Sequence, residues 1–160
     1  MDTWQWSRVL HVLGVVLWIG GLSFVTLILL PLTRRWPDAA DQNRLFGYAE
    51  RRFAMWARGT TLVTGLSGFA MLYLSHGWSR FAQPDQWWLY AMVGIWAVFT
   101  MMLFVVEPLI LHRWIHAHVK QDPVGTMRRL HLMHIVLLTL SLITIAGAVA
   151  GSHGGNLLAW

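Results

Sequence analysis

The sequence predicts an all-α integral membrane protein: a four-helix bundle with both termini outside and an amphipathic cytoplasmic helix between spans one and two. Of its 160 residues, 56% are hydrophobic and only 12% are charged, whereas about a quarter of a soluble domain is charged. Four apolar runs each approach the roughly 20 residues that cross a bilayer as a helix. The basic residues lie mostly between these runs. We therefore expect a single transmembrane domain over residues 1–160.

The four expected spans cover about residues 9–32, 59–76, 88–111 and 130–151. Each should be a helix, because a helix satisfies its own backbone hydrogen bonds in lipid. The second run is the least apolar of the four, since Thr and Gly are frequent in it.

One acidic residue, Glu107, lies inside the third span near its end. A charge within a membrane is costly unless a partner neutralises it. Arg58 opens the second span at a similar depth, so we expect a structural ion pair between the two. A proton relay through Glu107 is the alternative interpretation.

The basic residues are distributed unevenly between the two sides of the expected bundle. The connections after spans one and three hold ten of the twelve, namely Arg34, Arg35, Arg44, Arg51, Arg52, Arg58, Arg113, Lys120, Arg128 and Arg129. Only Arg8 and Arg80 lie on the other side. The positive-inside rule then puts the basic loops in the cytoplasm and both termini in the periplasm. This topology accounts for the net charge of +5 without a nucleic-acid partner.

The first cytoplasmic connection has helical periodicity over residues 38–56. The residues at helical spacing are Leu45, Tyr48, Ala49, Arg52, Phe53 and Trp56. An amphipathic helix lying at the membrane interface fits this pattern, with Arg44 and Arg51 extending toward headgroups. Its expected role is to position the second span.

Pairs of small residues recur four positions apart within the spans. They are Thr61 with Gly65, Thr64 with Gly68, and Gly147 with Gly151. Such pairs allow close approach of two helices. They would equally leave room for a flat cofactor, and the spacing does not distinguish the two uses.

Four histidines flank the connection between spans three and four. His112 and His116 share one helix face, as do His131 and His134. An antiparallel hairpin turning at Pro123 would bring His112 level with His134, and His116 level with His131. Because neutral imidazole suits Fe, Cu and Zn, we expect these four residues to bind haem iron or another transition metal. The alternative is that they belong to the basic belt at the membrane edge.

A further histidine, His11, lies about one turn inside span one. It shares a helix face with Gly14, Trp18 and Gly21. A histidine with glycines on the same stripe suits a porphyrin, whose plane needs a helix face without bulk. Its partner ligand is expected at His76 or His153. Haem b ligands are therefore expected among His11, His76, His112 and His134.

The stretch Leu10 to Gly21 reads LHVLGVVLWIGG and contains the pattern His-x-x-Gly-x-x-x-Trp-x-Gly-Gly. It resembles the first helix of the copper-resistance D family and of the J-type protoporphyrinogen oxidases, which are small proteins of the bacterial inner membrane. The resemblance covers the first span well and Arg58 to Gly68 loosely. It implies a multi-pass inner-membrane location. The oxidase group implies that His11 is a haem b ligand, and the copper group implies passage of copper to or from the periplasm.

The function expected from these patterns is a haem b-binding membrane cytochrome. One or two His-ligated haems would carry electrons within or across the inner membrane, with a quinone or a redox protein as partner. The alternatives are a membrane-embedded copper or other metal transport protein, a haem-dependent oxidoreductase of the protoporphyrinogen oxidase type, and an accessory subunit without a cofactor. The oligomeric state is left open.

Overall fold

The computed structural model describes residues 2–33, 39–111 and 123–152, and all regular structure within these ranges is helical. Four long helices account for most of it. They are α1 (Thr3–Thr33), α2 (Ala39–Leu74), α3 (Trp87–Met101, continued by a π-helix over Met102–Leu111) and α4 (Pro123–Ser152). Two short 3₁₀ segments, Gly77–Ala82 and Pro84–Gln86, connect α2 to α3. The expected all-α class is confirmed at this level.

Helix α1 begins with a capping box. The Asp2 carboxylate accepts a hydrogen bond from the backbone N–H of Gln5 at 2.8 Å, and the Gln5 side chain accepts one from the Asp2 N–H at 3.1 Å. These bonds satisfy donors that the first turn of a helix leaves without partners. The start of α1 is therefore fixed by two residues that lie outside its apolar stretch.

Two of the long helices widen to π geometry next to a proline. Helix α1 is a π-helix over Val25–Leu29, two residues before Pro31. The π-segment of α3 contains Pro108. In a π-helix each N–H bonds to the carbonyl five residues earlier. Proline has no N–H, so each of these segments leaves one carbonyl without its regular backbone donor.

Helix α2 is continuous over 36 residues, about 54 Å at the usual helical rise. The separate interfacial helix expected before span two is therefore the first half of α2. No proline interrupts it, and Gly59 lies inside the helix in open space. One face of this half packs inward through Ala54 and Ala57, while Tyr48 remains 71% exposed.

The packing pattern is inverted relative to a soluble protein. Large apolar side chains are exposed on every long helix, among them Val16, Leu27, Leu66, Leu109 and Leu132. Most buried polar residues are Thr and Ser, such as Thr26, Thr64 and Ser141. The hydroxyls of these three residues donate to carbonyls of the preceding turn, at 2.6 Å from Thr26 to Leu22. Such surfaces suit lipid, where polar groups must find partners inside the protein.

Within the described residues, three helical stretches are long and apolar enough to cross a membrane: Thr3–Thr33, Pro84–Leu109 and Val124–Ser152. They indicate a multi-pass membrane protein. Helix α2 is less apolar and is not among them, in line with the low hydrophobicity of the second expected span.

The long helices contact one another side by side. Helix α2 runs along α1, α4 runs along α3, and contacts also join α2 to α3 and α1 to α4. At the centre, the rings of Trp18 and Phe99 meet edge to face with centroids 4.8 Å apart. Ile19, Leu22 and Leu138 complete this buried cluster. It closes the space between α1, α3 and α4 at mid-length.

Candidate functional site

A cavity of about 690 Å³ lies between the four long helices. Its inner end is formed by large apolar side chains, including Trp18, Ile19 and Trp96. Arg8 and Arg80 lie at its other end, where α1 and α3 begin and α2 and α4 end. Sites for cofactors usually have volumes of about 300–1,000 Å³ and mostly apolar walls with a few polar groups. The cavity fits this description.

His11 lines the cavity and is tied to the neighbouring helix. Its Nδ1 lies 2.8 Å from the backbone carbonyl oxygen of Thr64 in α2. Because a carbonyl only accepts, Nδ1 carries a proton, and Nε2 is the nitrogen whose lone pair can bind a metal. A hydrogen bond from the other ring nitrogen is the usual support of a metal-binding histidine. His11 is thus in the tautomer that ligates through Nε2.

A glycine makes this carbonyl accessible. Gly68 follows Thr64 by one helical turn, and a Cβ built on Gly68 would lie 3.0 Å from Cε1 of His11. The same arrangement occurs one turn earlier. Trp96 donates from Nε1 to the carbonyl of Thr61 at 3.0 Å, and a Cβ on Gly65 would overlap the Trp96 ring. Each glycine therefore leaves room for a ring that donates to the carbonyl four residues before it.

The glycines expected to make room for a flat cofactor are covered by the protein itself. A Cβ on Gly14 would lie 2.5 Å from Oγ1 of Thr64, and one on Gly21 would lie 2.6 Å from Phe53. Gly147 and Gly151 face the rings of Trp87 and Trp88. The stripe above His11 thus packs against α2. It does not lie open to a porphyrin. The expectation that Gly14 and Gly21 leave space for a porphyrin is therefore wrong.

His76 does not lie beside His11. Helix α2 ends at Leu74, six residues and about 9 Å beyond Gly68. His76 follows in a left-handed turn with φ of 51° and is exposed. It is not one of the cavity-lining residues. The expected His11–His76 pair is therefore not brought together, because α2 ends before it reaches His76. His153, the other expected partner, lies outside the described residues.

At the other end of the molecule, His131 has a structural contact. Its Nε2 lies 3.0 Å from the carbonyl oxygen of Thr26. In the π-helical segment, the backbone donor for this carbonyl would be residue 31, which is Pro31. The imidazole N–H of His131 therefore supplies the donor that the proline lacks. This nitrogen is thereby engaged as a donor, which argues against metal ligation through it.

Arg58 performs the same role for α3. Its Nε donates to the carbonyl of Leu103 at 3.0 Å, five residues before Pro108. Its Nη2 lies 3.1 Å from Oε1 of Glu107, which confirms the ion pair expected from the sequence. One guanidinium thus satisfies a carbonyl left open by proline and neutralises the acidic residue beside it. In membrane helices, neighbouring side chains commonly donate hydrogen bonds to the carbonyls that a proline leaves without a backbone donor.

His134 is the remaining described histidine of the expected metal site. Its Nδ1 donates to the carbonyl of Leu130 in the preceding turn at 2.9 Å, which leaves the lone pair of the neutral ring on Nε2. Within the residues that the structure describes, no three His, Asp or Glu side chains are grouped closely enough to hold a metal ion. His112 and His116 lie outside the described residues, so the four-histidine site stays a prediction.

Sequence reasoning did not assign a role to Arg8 and Arg80 in the cavity or to the carbonyls of Thr26 and Leu103. The carbonyls have a sequence signal. Because proline has no N–H, a proline inside an apolar run leaves the carbonyl four or five residues earlier without its backbone donor. That carbonyl then needs a donor from another helix. The arginines had none, because their proximity depends on how α1 and the α2–α3 connection come together.

No family model matches the sequence, and no curated protein and no solved structure is similar to it at a significant level. The resemblance to the copper-resistance D and protoporphyrinogen oxidase groups therefore stays a prediction. The cavity and the residues that line it are therefore the basis for a proposed function.

Proposed function

We propose that this chain is a haem b-binding membrane cytochrome that carries electrons, with the haem held in the cavity and ligated by His11. The observation that carries the proposal is the His11–Thr64 hydrogen bond of 2.8 Å. It fixes the tautomer that presents Nε2, within a largely apolar cavity of about 690 Å³. Among the described residues, His11 is the one histidine that lines this cavity.

The residues around His11 fit the needs of such a cofactor. Imidazole is a standard axial ligand of haem iron, and an apolar surrounding keeps water from it. Met71 and Met92 also line the cavity, and a thioether is the partner of histidine in many cytochromes. In place of His76, Met71 or Met92 would supply the second ligand. The bound haem supplies one-electron redox chemistry; the chain supplies binding, orientation and a dry site.

Helix α2 supplies the fourth span in this proposal. Its second half has exposed apolar side chains at Leu62, Val63 and Leu66, as a surface against lipid requires. Its first half, which includes Arg51 and Arg52, extends beyond the hydrocarbon core of about 30 Å. With the basic connections in the cytoplasm, the cavity opens toward the periplasmic side of a bacterial inner membrane. The result is a four-helix membrane bundle with both termini periplasmic.

The opposite half of the bundle offers a second candidate site. His134 presents Nε2 there, and His112 is its expected partner from the sequence. A second haem or a transition metal at this level would give electrons a path between the two faces. A quinone or a soluble redox protein is the class of partner that such a path requires.

The test is an optical spectrum with a metal count on protein purified from cells supplied with iron. We expect a Soret band, sharp α-bands on reduction, and iron bound to the chain. His11→Ala should abolish the signal of the cavity haem, while His76→Ala should leave it unchanged. If Met71 or Met92 supplies the second ligand, replacing that methionine with Leu should change the absorption spectrum of the bound haem.

Other results would contradict the cytochrome or its ligand assignment. A colourless, iron-free preparation would overturn the cytochrome. Loss of haem in His76→Ala but not in His11→Ala would overturn the ligand assignment. Copper in place of iron, bound through His11, would favour the metal transport alternative. His134→Ala tests the second site separately, since it should remove only the part of the signal that remains in His11→Ala.

A further inference from the structure

A second pocket, of about 530 Å³, lies between the last part of α1 and the first half of α2. The residues that line it are Phe24, Val25, Leu29, Ala49, Arg52, Phe53, Met55 and Trp56. None of these residues lines the cavity that contains His11. The two spaces are therefore separate, and this one lies at the end of the bundle to which the basic connections belong.

The α1 wall of this pocket coincides with the segment in which the helix widens to π geometry. Val25 and Leu29 are the first and last residues of that segment, and Phe24 precedes it. Short π-helical segments are frequent at functional sites. Across the pocket, Ala49 of α2 has only a methyl group, so its side chain fills little of the space. The pocket thus arises where α1 is irregular and α2 presents a small residue.

The apolar walls of the pocket are open to the surroundings of the bundle. Phe24, Met55 and Trp56 each expose more than half of their surface, whereas Val25 is buried. Exposed apolar side chains of this kind suit the acyl chains of a membrane. Tryptophan is enriched where hydrocarbon meets lipid headgroups. The pocket is therefore accessible to a lipid from the side of the molecule.

Among the described residues that line the pocket, Arg52 is the one with a charge. Its side chain is exposed, and the ion pair within the described residues joins Arg58 to Glu107 and does not include it. An arginine stem packs against apolar surface while its guanidinium reaches the headgroups. Guanidinium groups bind phosphate oxygens with paired hydrogen bonds. Arg52 is thus complementary to a phosphodiester, and the remaining wall is complementary to an acyl chain.

We propose that this pocket binds one anionic phospholipid, with the phosphate on Arg52 and an acyl chain along Phe24, Val25 and Leu29. A lipid without a compensating ammonium group is favoured, because ten of the twelve basic residues belong to the connections at this end of the bundle. Basic pockets between membrane helices bind acidic headgroups in this way. The inference requires that the chain lies in a membrane, but it does not depend on the proposed haem.

Phosphatidylglycerol and phosphatidylcholine with identical acyl chains are the probes, because only the first has a net negative charge. The full chain in a non-ionic detergent is given both lipids at equal concentration, and native mass spectrometry measures how much of each remains bound. We expect at least about fivefold more bound phosphatidylglycerol, since one basic residue near an acidic headgroup contributes on the order of that factor. Equal binding of the two lipids, or retention of neither, would overturn the proposal before any variant is made.

Two neighbouring arginines then distinguish a site from general surface charge. Arg52→Gln should abolish the preference for phosphatidylglycerol. Arg51→Gln is the matched control, because Arg51 is an exposed arginine of the same helix that does not line the pocket. It removes the same charge and should keep the preference. An equal loss in the two variants would show a general effect of charge and would overturn the site.

The contribution of the acyl chain is tested with both arginines present. Ala49→Phe should fill the pocket and reduce the binding of phosphatidylglycerol several-fold at unchanged helix content, as measured by circular dichroism. Unchanged binding would overturn the pocket as the location of the chain. Glycerol 3-phosphate has the phosphate without acyl chains and should not displace the lipid at equal concentration. Displacement would overturn a phospholipid as the occupant.

Discussion

Glycine and proline each expose helical carbonyl oxygens to side-chain donors, in different halves of this molecule. Beside the cavity, Gly68 lets His11 reach the carbonyl of Thr64. In the other half, Pro108 opens the carbonyl that Arg58 satisfies. Next to glycine, the carbonyl keeps its own backbone N–H partner. Next to proline, the regular backbone donor is missing. The side chain is therefore an addition in the first case and a replacement in the second.

This difference predicts where substitutions are costly. A buried carbonyl left without a donor costs more than the net value of one hydrogen bond. We therefore expect the proline half to determine stability and the glycine half to determine ligand binding. The following variants test that division.

The largest effect is expected for Arg58→Leu. The substitution removes the donor to Leu103 and leaves Glu107 without its guanidinium partner. Because the two side chains are 32% and 22% exposed, we expect the free energy of unfolding to fall by about 3 kcal/mol, near the lower limit for breaking a buried pair. The measurement is detergent-induced unfolding followed by circular dichroism, and Arg51→Leu in the same helix is the control.

Two companion variants test the cause. Adding Glu107→Gln to Arg58→Leu should recover part of the lost stability, because the uncompensated charge is gone. Arg58→Lys should lose about half as much as Arg58→Leu, since an ammonium lacks the planar fork that serves Leu103 and Glu107 together. If Glu107→Gln recovered nothing, the pair would not be the source of the effect.

His131→Ala should have the next largest effect. It leaves the carbonyl of Thr26 without its side-chain donor, at a cost of about 1–3 kcal/mol in the free energy of unfolding. Pro31→Ala restores a backbone N–H, so it should reverse most of that loss in the double variant. A double variant no more stable than His131→Ala would contradict the role of proline. Haem content should be unchanged in the double variant.

A smaller effect on stability is expected for His11→Phe in the haem-free protein, about 1 kcal/mol. The carbonyl of Thr64 keeps its bond from the Gly68 N–H, so only an additional donor is lost. The same variant should lose the signal of the cavity haem completely. If His11→Phe destabilised the protein as much as Arg58→Leu, the division between the two halves would fail.

The smallest effect is expected from substitutions at two glycines of α2. Gly68→Ala places a methyl group 3.0 Å from the His11 ring, so the ring must shift by a few tenths of an ångström. We expect haem to bind several-fold more weakly, as measured by haem titration. Gly59→Ala meets nothing within 4 Å and should stabilise the helix by about 1 kcal/mol without affecting haem. Equal haem binding in both variants would mean that Gly68 does not position His11.

The sequence predicted the long helices and one contact between two of them, the ion pair. The apolar runs predicted the long helices. The ion pair between Arg58 and Glu107 was predicted because a charge in an apolar run needs a partner of opposite sign. His11 was chosen as a candidate ligand because a histidine inside a span is costly. The continuity of α2 was missed, since a change from amphipathic to apolar character resembles a boundary even when no proline breaks the helix.

Contacts between helices that do not join opposite charges could not be predicted in this way. The spacing of Thr64 and Gly68 is the same whether the space is filled by a helix, a cofactor or an imidazole. Only the neighbouring helices decide that Gly65 receives Trp96 and Gly68 receives His11. Likewise, Arg8 and Arg80 are far apart in sequence, and they line one cavity only because all four helices contribute to it.

The composition of α2 has a consequence for how the chain enters its membrane. Thr60, Thr64 and Ser67 donate their hydroxyls to carbonyls of α2 itself, and the three side chains are buried against the rest of the molecule. A segment of this kind gains little from lipid and much from a helix that is already integrated. With α2 as the proposed fourth span, biogenesis should proceed by pairs: α1 partitions first, and α2 follows along its surface as a helical hairpin. The cavity that holds His11 would begin to form at this step of assembly.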